Sequence, residues 1–353
     1  MKTVPKLIDF SGDCIFVGID VHKKNWKVTF RYNGREMDTC SMPPSPSKLL
    51  AYLQSRYPNA EYRCVYEAGF CGFWIQRELV DLGAICDVIH PADVPTTHKE
   101  RRRKTDSVDS RKLARSLEKG ELTAIFVPDR ELEDLRQILR RRVQLVKDRT
   151  RTKNRIKQFL HFHGIDDPEI QTKWSKKYLR WLETLTLQMM ARITLDSHLS
   201  QLDALEKQIA QMDQQLKEMS RLPRFIEGYS LLISIPSIGP IAALTLLTEL
   251  GDINRFKSLD ELCSYAGLVP DTSSSGDREQ NLGITKRGNS FIRRILIECG
   301  WIIIRKDPAM AKAYKEYCKR MTGKRAIIRI TKKLLSRIRY VLKNRKKYKI
   351  GLN

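Results

Sequence analysis

Asn33-Gly34 separates two short runs in which apolar and polar residues alternate. Asn-Gly between alternating segments is the strongest short-range signal for a tight β-hairpin, because both central residues of that turn need positive φ. Before it, NWKVTFRY sets Trp26, Val28 and Phe30 against Lys27, Thr29 and Arg31, as in a half-exposed strand. After it, residues 35–41 return as the partner strand. Upstream, IFVGID at 15–20 is an apolar run that stops at Asp20. Three meandering strands therefore come before any helix. Pro43, Pro44 and Pro46 then make a loop, and Ser47 is placed to cap a helix carrying Leu49, Leu50 and Leu53. Residues 61–67 read as a fourth strand, 72–82 as a helix and 84–89 as a fifth strand.

This order, an α/β layer with an antiparallel lip, is that of a ribonuclease H-like sheet. In open α/β sheets, ligands gather beyond the carboxyl ends of the strands. Asp20 ends the first strand, and Glu67 in RCVYEAG ends the fourth. A helix from Thr105 to Gly120 follows, and KTDSVDS places Asp106 and Asp109 three apart on one of its faces. Carboxylates this close repel unless a cation lies between them. Four of them can hold two divalent ions, and an oxygen-only set suits Mg²⁺ or Mn²⁺. The Lys and Arg neighbours at 101–104 and 111–115 supply the competing reading, in which the acids form structural ion pairs.

The formal net charge is +24, with a pI near 9.8. The excess is clustered, which favours a nucleic acid over a merely solvated basic surface. The helical stretch 131–162 carries an apolar face of Leu135, Ile138, Leu139, Val143, Val146, Ile156 and Leu160. Its other faces hold Arg140, Arg141, Arg142, Arg149, Arg151, Lys153 and Arg155, candidates for tracking phosphates. Arg101, Arg102, Arg103 and Lys104 form a second cluster. After Glu316 no acidic residue occurs, and the tail reads as a basic amphipathic helix with a frayed end. A membrane-surface helix is the competing reading of that tail. The eight cysteines form no CxxC pair, and MKTVPKLIDFSGD has no run of signal-peptide length. Both point to reduced thiols in a cytoplasm rather than disulfides or a zinc site. LLISIPSIGPIAALTLL is long enough to suggest a membrane span, but Pro236, Gly239 and Pro240 break it into two short helices around a turn.

Leu195, Leu199, Leu202, Leu205, Ile209, Met212, Leu216, Met219 and Leu222 recur at spacings of three and four, and Pro223 ends the run. An interchain coiled coil and a helical hairpin within one chain both satisfy this pattern. IPSIGP before an Ala/Leu-rich helix is similar to a helix–hairpin–helix, with Gly239 turning backbone N–H groups toward a phosphate. A plain buried αα-hairpin is the alternative. FKSLDELCSYAGLVP gives a capped helix, then Ser273, Ser274, Ser275 and Gly276 read as a small polar loop. Lys286, Arg287, Gly288 and Asn289 lead into another helix bearing Arg293 and Arg294. Nothing in the residue types alone selects a serine from this loop.

Taken in order, GIDVHK, YEAG, KTDSVDS, IPSIGPIAALTLLTELGDINRF, SYAGLVP, SSG and ITKRGN resemble the DEDD-type transposases of bacterial insertion sequences. That family is typified by insertion sequence one-ten and related to the Piv invertase. The resemblance spans nearly the whole chain. It implies a RuvC-like domain with a metal-binding tetrad at Asp20, Glu67, Asp106 and Asp109, and a transposase domain whose catalytic serine is Ser275, with Ser274 as the alternative. The family usually has Ala where this chain has Ser110. The resemblance further implies a phosphoserine link to DNA, donor and target DNA as substrates, a noncoding bridge RNA as guide, and a dimer or tetramer. It implies no membrane partner, and a place in the bacterial cytoplasm beside the nucleoid.

The expected organisation is a RuvC-like catalytic domain over 1–130, a basic helix with a coiled-coil linker over 131–222, and a mostly helical transposase domain over 223–353. Two other functions compete. A RuvC-type junction endonuclease would use water and leave Ser275 dispensable. A non-enzymatic nucleic-acid-binding protein would use its acids only for stability.

Overall fold

A computed structural model describes residues 9–95, 105–169, 172–275, 278–285 and 287–351, with the backbone for 271–275 and 278–282. The chain divides into two compact units, Met1–Val127 and Pro128–Asn353.

In the first unit, β1 (Cys14–Val21), β2 (Trp26–Tyr32) and β3 (Arg35–Met42) form the meander, followed by α1 (Pro46–Arg56), β4 (Glu61–Glu67), α2 (Trp74–Asp81), β5 (Ile85–Ile89) and α3 (Asp106–Glu118). The sheet order is β3-β2-β1-β4-β5. β1 pairs antiparallel with β2 and parallel with β4, and β4 is parallel to β5. The turn is built as its residues require, with Asn33 at φ 48° and Gly34 at φ 77°. One sheet face carries Ile15, Val17, Ile19, Trp26, Val28 and Phe30 into a core shared with Leu49, Leu53, Ile75 and Leu79 of α1 and α2. The other face packs Val65 and Ile89 against Leu113 of α3.

The cap of α1 differs from the sequence expectation. Ser45, not Ser47, accepts the N–H of Lys48 at 3.3 Å, and Pro46 opens the helix. Proline fits a first helical position because its missing N–H would have no partner there anyway. Counting Pro46 as loop therefore placed the boundary too late.

The second unit begins with α4 (Arg130–Phe162), α5 (Lys176–Thr184) and α6 (Met189–Met219). α6 runs antiparallel along α4. Arg142 pairs with Asp213, Lys153 with Glu206, and Thr152 bonds Gln201. Leu195, Leu202, Ile209 and Leu216, spaced by seven, are buried. Of the two arrangements the heptad pattern allowed, this one is the hairpin within the chain. Pro223 does not end α6 but opens α7 (Pro223–Ile233), again as a first helical residue.

α8 (Pro240–Leu250) follows the Gly239 turn, then α9 (Leu259–Tyr265), β6 (Pro270–Ser275), β7 (Arg278–Ile284), α10 (Ser290–Lys306), α11 (Pro308–Cys318) and α12 (Gly323–Asn344). The broken apolar stretch is two helices, α7 and α8. Among the described residues no helix is long and apolar enough to cross a membrane. The basic tail buries Ile327, Ile330, Leu334, Ile338 and Val341 against Leu232, Leu296 and Ile303. That spacing gives α12 one apolar face and leaves its cations outside.

Candidate active site

β1 and β4 lie side by side and parallel, so Asp20 and Glu67 emerge at the same edge of the sheet. α3 crosses the face above them. Its N-cap Thr105 accepts the N–H of Val108 at 3.4 Å, so Asp106 and Asp109 fall in the first turn, where the helix dipole favours carboxylates. All four acids thus gather at one end of the unit.

Asp20 is where their proximity registers. Its carboxyl is pushed up to about 6, first by burial. His22 opposes this shift, and the charges of Asp106, Asp109 and Glu67 add to it. A cation at this point would relieve both causes. His22 Nδ1 lies 3.6 Å from Asp20 Oδ2, and its Nε2 lies 3.8 Å from Asp106 Oδ1. Ligand atoms of Asp20, His22 and Asp106 converge within 4.8 Å of one another. Two carboxylates and an imidazole on this spacing could hold a divalent ion.

Two participants escaped the sequence reading. His22 stands two residues after Asp20 in GIDVHKK, and no pattern separated it from the adjacent lysines. Lys112 is nearly buried, with Nζ 3.2 Å from Asp109 Oδ1 and 3.9 Å from Glu67 Oε1. Its i,i+3 spacing from Asp109 was visible. The link to Glu67, forty-five positions earlier on a strand, was not.

The serine segment in the second unit is not the polar loop that its composition suggested. β6 and β7 form an antiparallel hairpin, with Pro270 opposite Ile284 at the base and Ser275 opposite Arg278 at the tip. Gly276 and the side chains of Ser274 and Ser275 lie outside the described parts. The base is tied down. Thr285 N–H donates to Val269 O at 3.0 Å, and Arg293 Nη1 donates to Thr285 O at 2.6 Å and Gly267 O at 3.3 Å. A Cβ on Gly288 would lie 2.2 Å from Gly267 Cα, so the two chain segments touch backbone to backbone. Asn289 caps α10 through the N–H groups of Phe291 and Ile292, and its Nδ2 donates to Glu249 Oε2 at 2.9 Å.

Residues 17–164 match the family model described as a transposase of the DEDD, IS110 type, and residues 229–315 match that of the transposase IS116/IS110/IS902 family. The chain is 32% identical over 300 residues to the putative transposase y4qE of Sinorhizobium fredii, covering 81% of this chain and 71% of that protein. The chain belongs to the IS110 family of insertion-sequence transposases. It is accordingly a DNA-cleaving and rejoining enzyme. A second Sinorhizobium fredii protein, putative transposase y4rJ, is 28% identical over 94% of this chain and 92% of its own. The transposase for insertion sequence element IS1111A of Coxiella burnetii is 27% identical over 65% and 62%.

The basic residues singled out in this transposase divide by their surroundings. Arg140 is paired with Glu249, Arg142 with Asp213, Arg151 with Asp148 and Lys153 with Glu206. Arg293 serves carbonyls beneath the hairpin, and Arg294 lies 4.0 Å from Glu298. Arg141 and Arg155 are exposed and Arg149 half-buried. Arg287 turns its backbone N–H to Thr285 Oγ1. Gly239 caps α8 with open space where a side chain would stand. Arg101, Arg102, Arg103, Lys104 and Lys286 lie outside the described residues.

Proposed function

We propose that this transposase cuts and rejoins donor and target DNA through a phosphoserine formed on Ser275, assisted by divalent metal at Asp20, Glu67, Asp106 and Asp109. The observation that carries the reading is the gathering of four acids about a raised Asp20 carboxyl, in a chain whose serine segment follows the family pattern. Bound there, Mg²⁺ or Mn²⁺ would supply Lewis acidity toward a phosphodiester oxygen. Asp20, Glu67, Asp106 and Asp109 would hold the metal, with His22 between Asp20 and Asp106 and Lys112 beside Asp109 and Glu67.

Ser275 Oγ bonds to phosphorus as the bond from phosphorus to the leaving strand oxygen breaks. The serine proton passes to a base, and the leaving oxygen gains one. The ester retains the phosphodiester energy, so a hydroxyl from another strand can displace the serine and rejoin DNA without ATP. Ser275 stands on a hairpin whose base is fixed by Arg293, which suits a nucleophile that must be presented in one orientation. Sequence choice is delegated to a noncoding bridge RNA, and the protein contributes backbone contacts. It works as a homo-oligomer of two or four chains.

The test is a covalent-adduct assay with Mg²⁺, labelled donor and target DNA and the noncoding RNA of the element's flanks. A protein–DNA band in wild type and Ser274→Ala that is missing from Ser275→Ala and Asp106→Ala supports the reading. Cleavage without an adduct, indifferent to either serine, would replace it with the water-using endonuclease.

A further inference from the structure

A cleft of about 550 Å³ opens between the base of the β6–β7 hairpin and the first half of α12. Its floor is apolar, built from Leu268, Pro270, Ile284, Met321 and Ile328. Its walls carry Arg320, Lys324, Arg325, Arg329 and Lys332, and no acid lines it. Among the described residues none of these five cations forms a salt bridge. The contrast with α4 is direct, since Arg140, Arg142, Arg151 and Lys153 each face a carboxylate. Arg320, Lys324, Arg325 and Arg329 are exposed. Five like charges held side by side repel one another, and an anion between them removes that cost. A regularly spaced polyanion can meet several at once.

The position of the cleft beside the serine hairpin favours the DNA strand as that polyanion. Pro270 and Ile284 are opposite one another at the hairpin base, and Ser275 is at the tip. Five residues of strand separate them, about 17 Å at ~3.4 Å per residue. That is roughly five stacked nucleotides of one strand at 3.4 Å each. We propose that this cleft grips the sugar–phosphate backbone of the DNA strand under attack, about five nucleotides from the bond that Ser275 breaks. The apolar floor accommodates the sugar faces while the cations meet the phosphates. The grip holds the strand against the hairpin so that the scissile phosphate arrives at the tip. The proposal rests on Ser275 as nucleophile for its register, but its test reads binding and not chemistry.

The experiment uses the full chain carrying Ser275→Ala, so that no adduct forms, and measures anisotropy of a labelled donor-junction duplex between 50 and 300 mM KCl, with the element's RNA present. The triple variant Arg320→Gln, Lys324→Gln, Arg325→Gln should bind at least tenfold more weakly near physiological salt. Its log K against log salt slope should fall by roughly 2 to 3, about 0.9 per lost phosphate contact. Neutral methylphosphonate linkages placed four to six nucleotides from the scissile bond, mapped with the serine-intact enzyme, should weaken binding by the unsubstituted triad and add little further loss in the variant. Equal methylphosphonate effects in both proteins, an unchanged slope, or loss of RNA binding with DNA binding intact would each overturn the proposal. Failure of the serine reading shows separately, as cleavage without adduct by the serine-intact enzyme.

Discussion

A Cβ added to Gly18 would lie 2.2 Å from the carbonyl oxygen of Ser110. It would also lie 2.4 Å from the amide nitrogen of Ala114. Both are backbone atoms of α3, so no side chain can swing aside. Gly18 is thus the point where the helix bearing Asp106 and Asp109 rests on the strand bearing Asp20. Gly18→Ala is expected to lift α3 from β1. Overpacking of this kind costs about 1–3 kcal/mol. Urea unfolding should show that loss, and Mn²⁺ titration should show weaker binding, because Asp106 and Asp109 move away from Asp20.

Asp20 makes both stability and metal affinity depend on pH. Its folded carboxyl is raised from 3.8 to about 6, chiefly by burial. The folded chain therefore holds a proton that the unfolded chain has released between those two values. Its stabilising effect is complete below about 3.8 and is lost as pH rises through about 6. Urea unfolding from pH 4 to 8 should show that decline, and Asp20→Asn should remove it. A divalent ion must displace the same proton, so Mn²⁺ affinity should climb by up to about tenfold per pH unit below about 6 and flatten above.

Ser110 is a buried hydroxyl on α3. Its Oγ lies 2.9 Å from Thr29 Oγ1, which lies 2.9 Å from Thr39 Oγ1 in turn. Ser110→Ala should cost only about 0.5–1.5 kcal/mol, since Thr29 keeps its second partner. Metal affinity should stay at the wild-type level, as measured by the same Mn²⁺ titration. A change there would assign Ser110 a part in placing Asp109.

Glu249 is a buried carboxylate where α4, α8 and the start of α10 meet. Arg140 Nη2 approaches it at 2.9 Å, Arg136 Nε at 3.7 Å and Asn289 Nδ2 at 2.9 Å. Removing one member of a buried charged set costs about 3–5 kcal/mol. Glu249→Ala should destabilise the second unit on that scale, and Glu249→Gln by less, because it keeps a polar partner for Asn289. Denaturation midpoints at constant m-value distinguish the two. Adduct yield should fall with Glu249→Ala even where the protein is folded, because Asn289 caps the helix that follows the serine hairpin.

Sequence periodicity carried most of the first unit. Strands, helices and the Asn33-Gly34 turn are local events, governed by residue-by-residue φ preference and by which side chains face inward. The boundaries missed were those where proline opens a helix, at Pro46 and Pro223. The serine hairpin was missed for a related reason. PDTSSS has no apolar alternation, and its strand form depends on pairing with REQNLGI, which no short window reveals.

What the sequence by itself determined was the acid set and its carriers. Asp20 and Glu67 end apolar runs, and Asp106 and Asp109 share a helix face, because backbone periodicity decides where a side chain points. Only the tertiary structure decided that His22 joins Asp20 and Asp106, that Lys112 spans Asp109 and Glu67, and that Arg140 and Arg142 face carboxylates. Those are contacts between segments far apart in the chain. Their energies depend on distance and burial, and neither exists until the sheet has placed β1 beside β4 and the helices have packed.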